Sequence, residues 1–184
     1  MIFSNISSID PGKGLDEFVC AVGMMNKLDG LFFEIVGKAS GVNEAFEKRI
    51  HEKILAKNLE SKISIKGFVE NIGTYLNGID VVVLSSYTEE ALPTVLIEAM
   101  AKGKVIIATD VGGVKEIVED SYGNIIVPPG NCTALKDALE KVSAYSIDQL
   151  LRIGRKNINI AKHKFKLDTQ LKELSKLYME LCKK

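Results

Sequence analysis

Two glutamates, Glu90 and Glu98, bracket a proline and the start of an apolar run in EALPTVLIEAMAKG, residues 90–103. Pro93 has no N–H to donate and a fixed φ, so it suits the first turn of a helix. Glu90 then lies on the loop in front, with Glu98 about one and a half turns into the helix. Within continuous helix, eight residues would hold the two acids ~12 Å apart. A loop at the front can bend Glu90 back, so that both carboxylates flank one ligand. The other reading is plainer: Thr94, Glu98 and Lys102 fall at i, i+4 and i+8, a polar stripe with Glu98–Lys102 as a surface pair. Spacing alone leaves both readings open.

A second candidate is the loop SSIDPGKG, residues 7–14. Lys13 sits between Gly12 and Gly14, just before a helical pattern. Backbone N–H groups, a helix N-terminus and one ammonium together suit a phosphate. The same residues also suit an ordinary tight turn, and neither a P-loop nor G-x-G-x-x-G is present. Cys20, Cys132 and Cys182 have neither metal spacing nor a disulfide framework, so they read as buried apolar side chains in a reducing compartment. His51 and His163 lie in charged, helix-like stretches and read as surface residues. No D-x-D motif occurs, and no required metal is expected.

These residues need elements to hold them. Short, β-branched apolar runs at 2–6, 31–37, 62–68, 80–86, 104–110 and 124–128 read as strands covered on both faces. Helical patterns at 14–28, 43–57, 71–77, 93–102 and 114–119 alternate with them. Strand–helix alternation predicts an α/β fold: a doubly wound, mostly parallel sheet of about six strands, helices on both faces, Rossmann-like. After Pro128-Pro129-Gly130 the strands stop, and three C-terminal helices follow at about 132–143, 146–162 and 167–182, with Ser146 as a cap and Asp168 near the start of the last. The reading is one Rossmann-like domain over 1–184, with an α/β core at 1–130 and C-terminal helices at 131–184. In such a sheet ligands bind at the carboxyl ends of the strands, by the switch point. That selects the loops 7–14, 37–41, 67–71, 85–94 and 110–113.

Composition excludes some classes. Lys+Arg and Asp+Glu are both 24, so no basic field argues for nucleic acid. No apolar run is long enough to span a bilayer, and no signal peptide is seen. The lysine-rich tail from Arg152 onward reads first as a solvated helix face and second as a membrane-surface patch. A cytoplasmic protein is expected.

The stretch EALPTVLIEAMAKGKVIIATDVGGVKEIVED closely resembles the donor-binding half of family 4 (group 1) glycosyltransferases, which are retaining, nucleotide-sugar-dependent enzymes of the GT-B fold. Their E-x7-E is matched by Glu90 and Glu98, followed by EAMA-x-G, A-T-x-x-G-G and then Glu116. The resemblance runs over the whole chain, through the KG of the first loop, FEIVGKAS with Gly37, and IKGFVENIGTYLNGIDVVVLSS. It implies that Glu98 receives the ribose hydroxyls, since two acceptor oxygens suit a vicinal diol. It implies that Glu90 holds hydroxyls of the donor sugar. The turn Ala91-Leu92-Pro93-Thr94 would present N–H groups to the diphosphate. Lys13 would stabilise that diphosphate as the sugar leaves. Phe68 and Val69 would border the base, and Gly12 and Gly14 would give room for backbone approach. Lys13 and Glu90 are thus the residues implied in catalysis, and neither acid need transfer a proton.

The sequence departs from the family in places. The arginine frequent about five residues before the lysine is absent, and no arginine lies in residues 1–48. Ala91 replaces a frequent glycine and Val105 a frequent proline. Glu89, next to Glu90, misses the spacing. The amino-terminal, acceptor-binding half of a GT-B enzyme is not in this sequence, which opens as a strand at its first residues. The expectation is therefore a fragment, a truncated form or one subunit of a split enzyme. Its donor is a nucleotide diphosphate sugar, with no separate cofactor, and its partner an acceptor domain in the same or a neighbouring chain. The full enzyme would act in bacterial surface polysaccharide or glycolipid synthesis, with peripheral association at the inner face of the membrane as a further expectation. The alternatives are a non-catalytic nucleotide-sugar-binding subunit and an unrelated Rossmann-type nucleotide binder.

Overall fold

A computed structural model describes residues 1–118 and 122–182. Among them six strands form one parallel sheet: β1 (Ile2–Ile6), β2 (Phe32–Val36), β3 (Ile63–Gly67), β4 (Val81–Leu84), β5 (Val105–Thr109) and β6 (Ile125–Val127). Their order is β3-β2-β1-β4-β5-β6. The crossovers carry α1 (Leu15–Gly23), α2 (Glu44–Ala56), α3 (Ile72–Tyr75), α4 (Thr94–Ala101) and α5 (Val114–Val118). Then come α6 (Cys132–Ser143), α7 (Ile147–Lys164) and α8 (Leu167–Leu181). The doubly wound α/β reading holds, with its C-terminal helices. The helix expected over 114–119 is described to Val118; Glu119 lies outside the described residues, as do Lys183 and Lys184 of the tail.

The sheet splits the core in two because successive side chains on a strand face opposite ways. On β4, Val81 and Val83 join Phe3, Phe18 and Phe33 in one layer, under α1, α2 and α6. Val82 and Leu84 join Leu96, Met100 and Ile106 in the other, against α4 and α5. Phe3 stacks on Phe33 at 5.2 Å between ring centroids, and Phe18 meets Phe33 edge-on at 6.2 Å. Truncating such a buried ring, as in Phe33→Ala, costs about 3–5 kcal/mol. β4 and β5 are buried along their whole length, which explains their unbroken apolar runs. Edge strand β3 alternates instead. On α3, Tyr75 donates to Glu34 of β2 and bonds Ser4 Oγ of β1 at 2.7 Å. Burial first, and then the Glu34 carboxylate, push its hydroxyl pKa well above the usual value.

Two readings are corrected. The helix expected over 14–28 stops at Gly23. Beyond it Asn26 N–H is taken by Glu140 Oε1 of α6 at 3.1 Å, and Gly30 adopts φ 69° in the turn into β2. Met25 keeps the apolar period but packs from a turn. The cysteines are not fully buried. Cys20 and Cys132 are half-buried where α1 meets α6, and Cys182 is exposed. Burial, then hydrogen bonding with Cys20, push the Cys132 thiol up to about 11. His51 and His163 are exposed, as read.

α7 starts on a capping box: Ser146 Oγ accepts from Gln149 N–H at 3.2 Å, and Gln149 Oε1 accepts from Ser146 N–H at 2.8 Å. It crosses α4 closely, because a Cβ at Gly154 would lie 2.4 Å from Gly103 O. Buried Asn157 then ties α7 to the sheet, donating to Lys104 O at 2.7 Å and pairing with the Asn124 amide at 3.1 Å. α8 has no buried residue. Among the described residues no helix is long and apolar enough to cross a membrane.

Candidate active site

The strand order reverses between β1 and β4, so their loops part in opposite directions and leave a crevice at the carboxyl edge. In the loop after β1, Asp10 Oδ1 accepts from Gly12 N–H at 2.8 Å and Asp10 O from Lys13 N–H at 3.1 Å. This winds Pro11–Lys13 into a single tight turn. Gly14 follows in the left-handed region at φ 63°, where a Cβ would lie 1.9 Å from Ser85 O. The close backbone approach at Gly14 is thus to the loop after β4. Ser85 Oγ donates to Lys13 O at 2.8 Å, and Tyr87 N–H donates to Gly12 O at 3.0 Å. A Cβ on Gly12 would meet the Thr88 side chain at 2.7 Å.

The loop after β4 carries Glu90. Its Oε1 lies 2.6 Å from Lys13 Nζ and accepts from Ser86 Oγ at 2.8 Å. Residues 77 positions apart in sequence thus meet across the crevice. Ser86 is fully buried, and its carbonyl accepts from Thr109 Oγ1 at 2.5 Å. The loop after β5 completes the support: Gly113 N–H donates to Glu90 O at 2.9 Å. A Cβ on Gly112 would lie 2.2 Å from Glu90 O, and one on Gly113 2.5 Å from Ala91 O. Both glycines are required by that approach. Glu89 is exposed and makes no ion pair among the described residues.

Ala91, Leu92 and Thr94 are exposed, and Pro93 is buried. Pro93 caps α4 rather than opening it, with φ −71° and ψ 88°. Glu98 is exposed on α4, and among the described residues it forms no ion pair, with Lys102 or any other cation. The surface pair that a plain polar stripe would supply is not made.

A cleft of about 410 Å³ opens beside the turn, at the carboxyl ends of β1, β2 and β3. Gly37, Phe68 and Val69 line it, with Ser8, Asp10 and Lys38. Phe68 is 67% exposed, and the Lys38 ammonium sits 5.4 Å from its ring centroid. At Gly37 a Cβ would lie 1.8 Å from Ser7 O. The structure therefore brings Lys13 to Glu90, puts Gly37, Phe68 and Val69 on the neighbouring cleft, and leaves Glu98 outside both. Asp10 joins the two, as it both lines the cleft and holds the Lys13 turn. Sequence reasoning named these loops but missed Ser86, Asp10 and the Gly112–Gly113 clamp. Their one signal was position, directly after strands. Among the described residues no three His, Cys, Asp or Glu side chains gather to hold a metal ion.

Comparison with known proteins adds a third line. A family model described as "Glycosyl transferases group 1" matches residues 1–159. The amylovoran biosynthesis glycosyltransferase AmsK of Erwinia amylovora is 26% identical over 152 residues, covering 78% of this chain and 36% of that protein. The crystal structure of Anabaena HepE in complex with UDP superposes with a TM-score of 0.90 at 22% identity, over 97% of this chain and 48% of that one. The C-terminal domain of a glycosyl transferase group 1 protein, LpcC from Francisella tularensis, superposes at 0.80 and 24% identity, over 90% of this chain and 87% of that one. This chain thus spans about a third of the length of its Erwinia relative, and about half of the Anabaena structure.

Proposed function

The chain belongs to the group 1 glycosyl transferases, and from that premise we propose that it is the donor-binding half of a retaining glycosyltransferase. Its donor is a nucleotide diphosphate sugar, and the acceptor a glycan or a lipid-linked acceptor of bacterial surface polysaccharide synthesis. The observation that carries this reading is the meeting of Lys13 and Glu90 at the switch-point crevice, beside a cleft of a size for the base.

In this reading Lys13 faces the diphosphate, whose charge grows as the sugar leaves, and a fixed ammonium there stabilises the transition state more than the ground state. Glu90 accepts from hydroxyls of the sugar, and Glu98 from those of the ribose. Phe68 and Val69 border the base at the cleft, and Gly37 keeps its floor open. Residues 91–94 bring N–H groups and the start of α4 to the phosphates. No metal is required for transfer.

The acceptor half lies in another part of the same protein or in a neighbouring chain. Transfer needs the anomeric carbon and the acceptor hydroxyl in near-attack geometry, and much of the rate comes from that positioning. The 184-residue chain alone therefore binds donor but does not transfer sugar at an appreciable rate. A panel of nucleotide sugars read by thermal shift identifies the donor. A radiolabelled-donor assay then compares the chain with and without an amino-terminal acceptor domain, each with and without chelator. Transfer is expected only with the acceptor domain, and unchanged by chelator. Robust transfer by the chain alone, abolished in Glu90→Ala, would overturn the half-enzyme reading.

A further inference from the structure

The Lys13 ammonium is already engaged in the free site. It lies 2.6 Å from Glu90 Oε1, with the two side chains only 24% and 17% exposed. A diphosphate arriving at Lys13 meets a carboxylate in its place, and two anions so close repel strongly where water is scarce. The Glu90 backbone cannot retreat, since Gly113 N–H holds its carbonyl and Gly112 packs beneath it. Only the side chain can move. Ser86 Oγ, on a fully buried residue, is a fixed neighbour whose hydroxyl can turn to follow the displaced carboxylate.

We propose that Glu90 is a specificity-determining residue that makes the site favour the sugar donor over the spent nucleoside diphosphate, by competing for Lys13 as an internal anion. The inference rests on the donor-site reading above. When the donor binds, Lys13 passes to the diphosphate, and the released carboxylate accepts from sugar hydroxyls. When nucleoside diphosphate binds alone, the carboxylate loses its cation and gains no hydroxyl. After transfer the sugar is gone, so Glu90 returns to Lys13 and displaces the product. One residue thereby serves donor recognition and product release.

Calorimetry on the 184-residue chain tests this, with UDP, GDP and ADP as probes so that the base does not decide the outcome. Glu90→Gln keeps the shape and the Ser86 hydrogen bond but removes the competing charge. It should bind the preferred nucleoside diphosphate about two- to tenfold more tightly than the native chain, the scale of a partly shielded ion pair. Its affinity for the matching nucleotide sugar should not rise. In a Lys13→Ala background the same substitution should give a smaller gain, since only the repulsion between the two anions is left to relieve and there is no ammonium to release. Unchanged or weaker nucleoside diphosphate binding in E90Q would overturn the inference and leave the donor site standing. Equal binding by native chain and Lys13→Ala would remove the donor-site reading and this inference with it. Binding by E90Q alone would support the inference, and binding by neither would overturn both.

Discussion

Glu98 and Lys13 differ most in what surrounds them, and that difference sets the tests. Glu98 is exposed on α4 with no ion pair among the described residues, so its carboxylate is free to take a ligand without first losing a partner. If it holds the ribose diol, Glu98→Gln weakens nucleoside diphosphate binding by about 1–3 kcal/mol, the range for a hydrogen bond to a charged group. Calorimetry that shows unchanged affinity would remove Glu98 from the site. Lys13→Ala should weaken nucleoside diphosphate far more than free nucleoside, because only the former carries the charge. Equal losses would show that Lys13 acts through folding. No arginine lies in residues 1–48, so affinity should also be modest and fall as salt rises. At this scale the sequence was legible where a residue type is rare in its setting: a lysine between glycines, an acid before a proline. Ser86 was not legible. A serine's role depends on which acceptor the fold brings near, and that acceptor owes its place to the loop after β5.

Among the elements, α7 makes the most specific demands. Gly154 lets it lie against the α4–β5 turn, and buried Asn157 satisfies Lys104 O and the Asn124 amide. Asn157→Leu keeps the bulk but removes the donor to Lys104 O and the pairing with the Asn124 amide, at a cost of about 1–3 kcal/mol. For a chain of this size that lowers Tm by roughly 2–4 °C per kcal/mol. A denaturation curve with an unchanged midpoint would show that water replaces the lost amide. Strand and helix order were read from the alternation of β-branched runs with amphipathic ones, because covered parallel strands and one-sided helices bury different patterns. Element ends were harder. The apolar period from Leu15 to Met25 continues past Gly23, where the helix stops, and just beyond it the Asn26 amide is taken by Glu140, far along the chain. No local pattern carries that contact.

For the molecule as a whole, α8 stands apart. Leu167, Leu171, Leu174, Leu177, Tyr178 and Leu181 follow helical spacing, yet each is about half exposed or more. A helix of this length without packing is marginal in water. In the 184-residue chain its amides should exchange with solvent orders of magnitude faster than those of β4 and β5, which open only with global unfolding. Joining the acceptor domain should slow them if that domain covers the stripe. Equal protection of α8 and β4 in the chain alone would show that the helix is held by this domain.

The loops after β1, β4 and β5 are stitched together before any ligand arrives, through Gly14 against Ser85, Tyr87 N–H on Gly12 O and Gly113 N–H on Glu90 O. Fixing a residue's backbone costs about 1–2 kcal/mol, and here that cost is met during folding rather than at binding. The site is therefore preorganised, and its evolvability is uneven. A change that loosens the stitched loops lowers thermal stability and, on the proposed reading, donor affinity in one step. On the proposed reading, retuning of base preference is cheaper at the rim, where Phe68 and Lys38 stand at the cleft and can be exchanged without cutting a stitch.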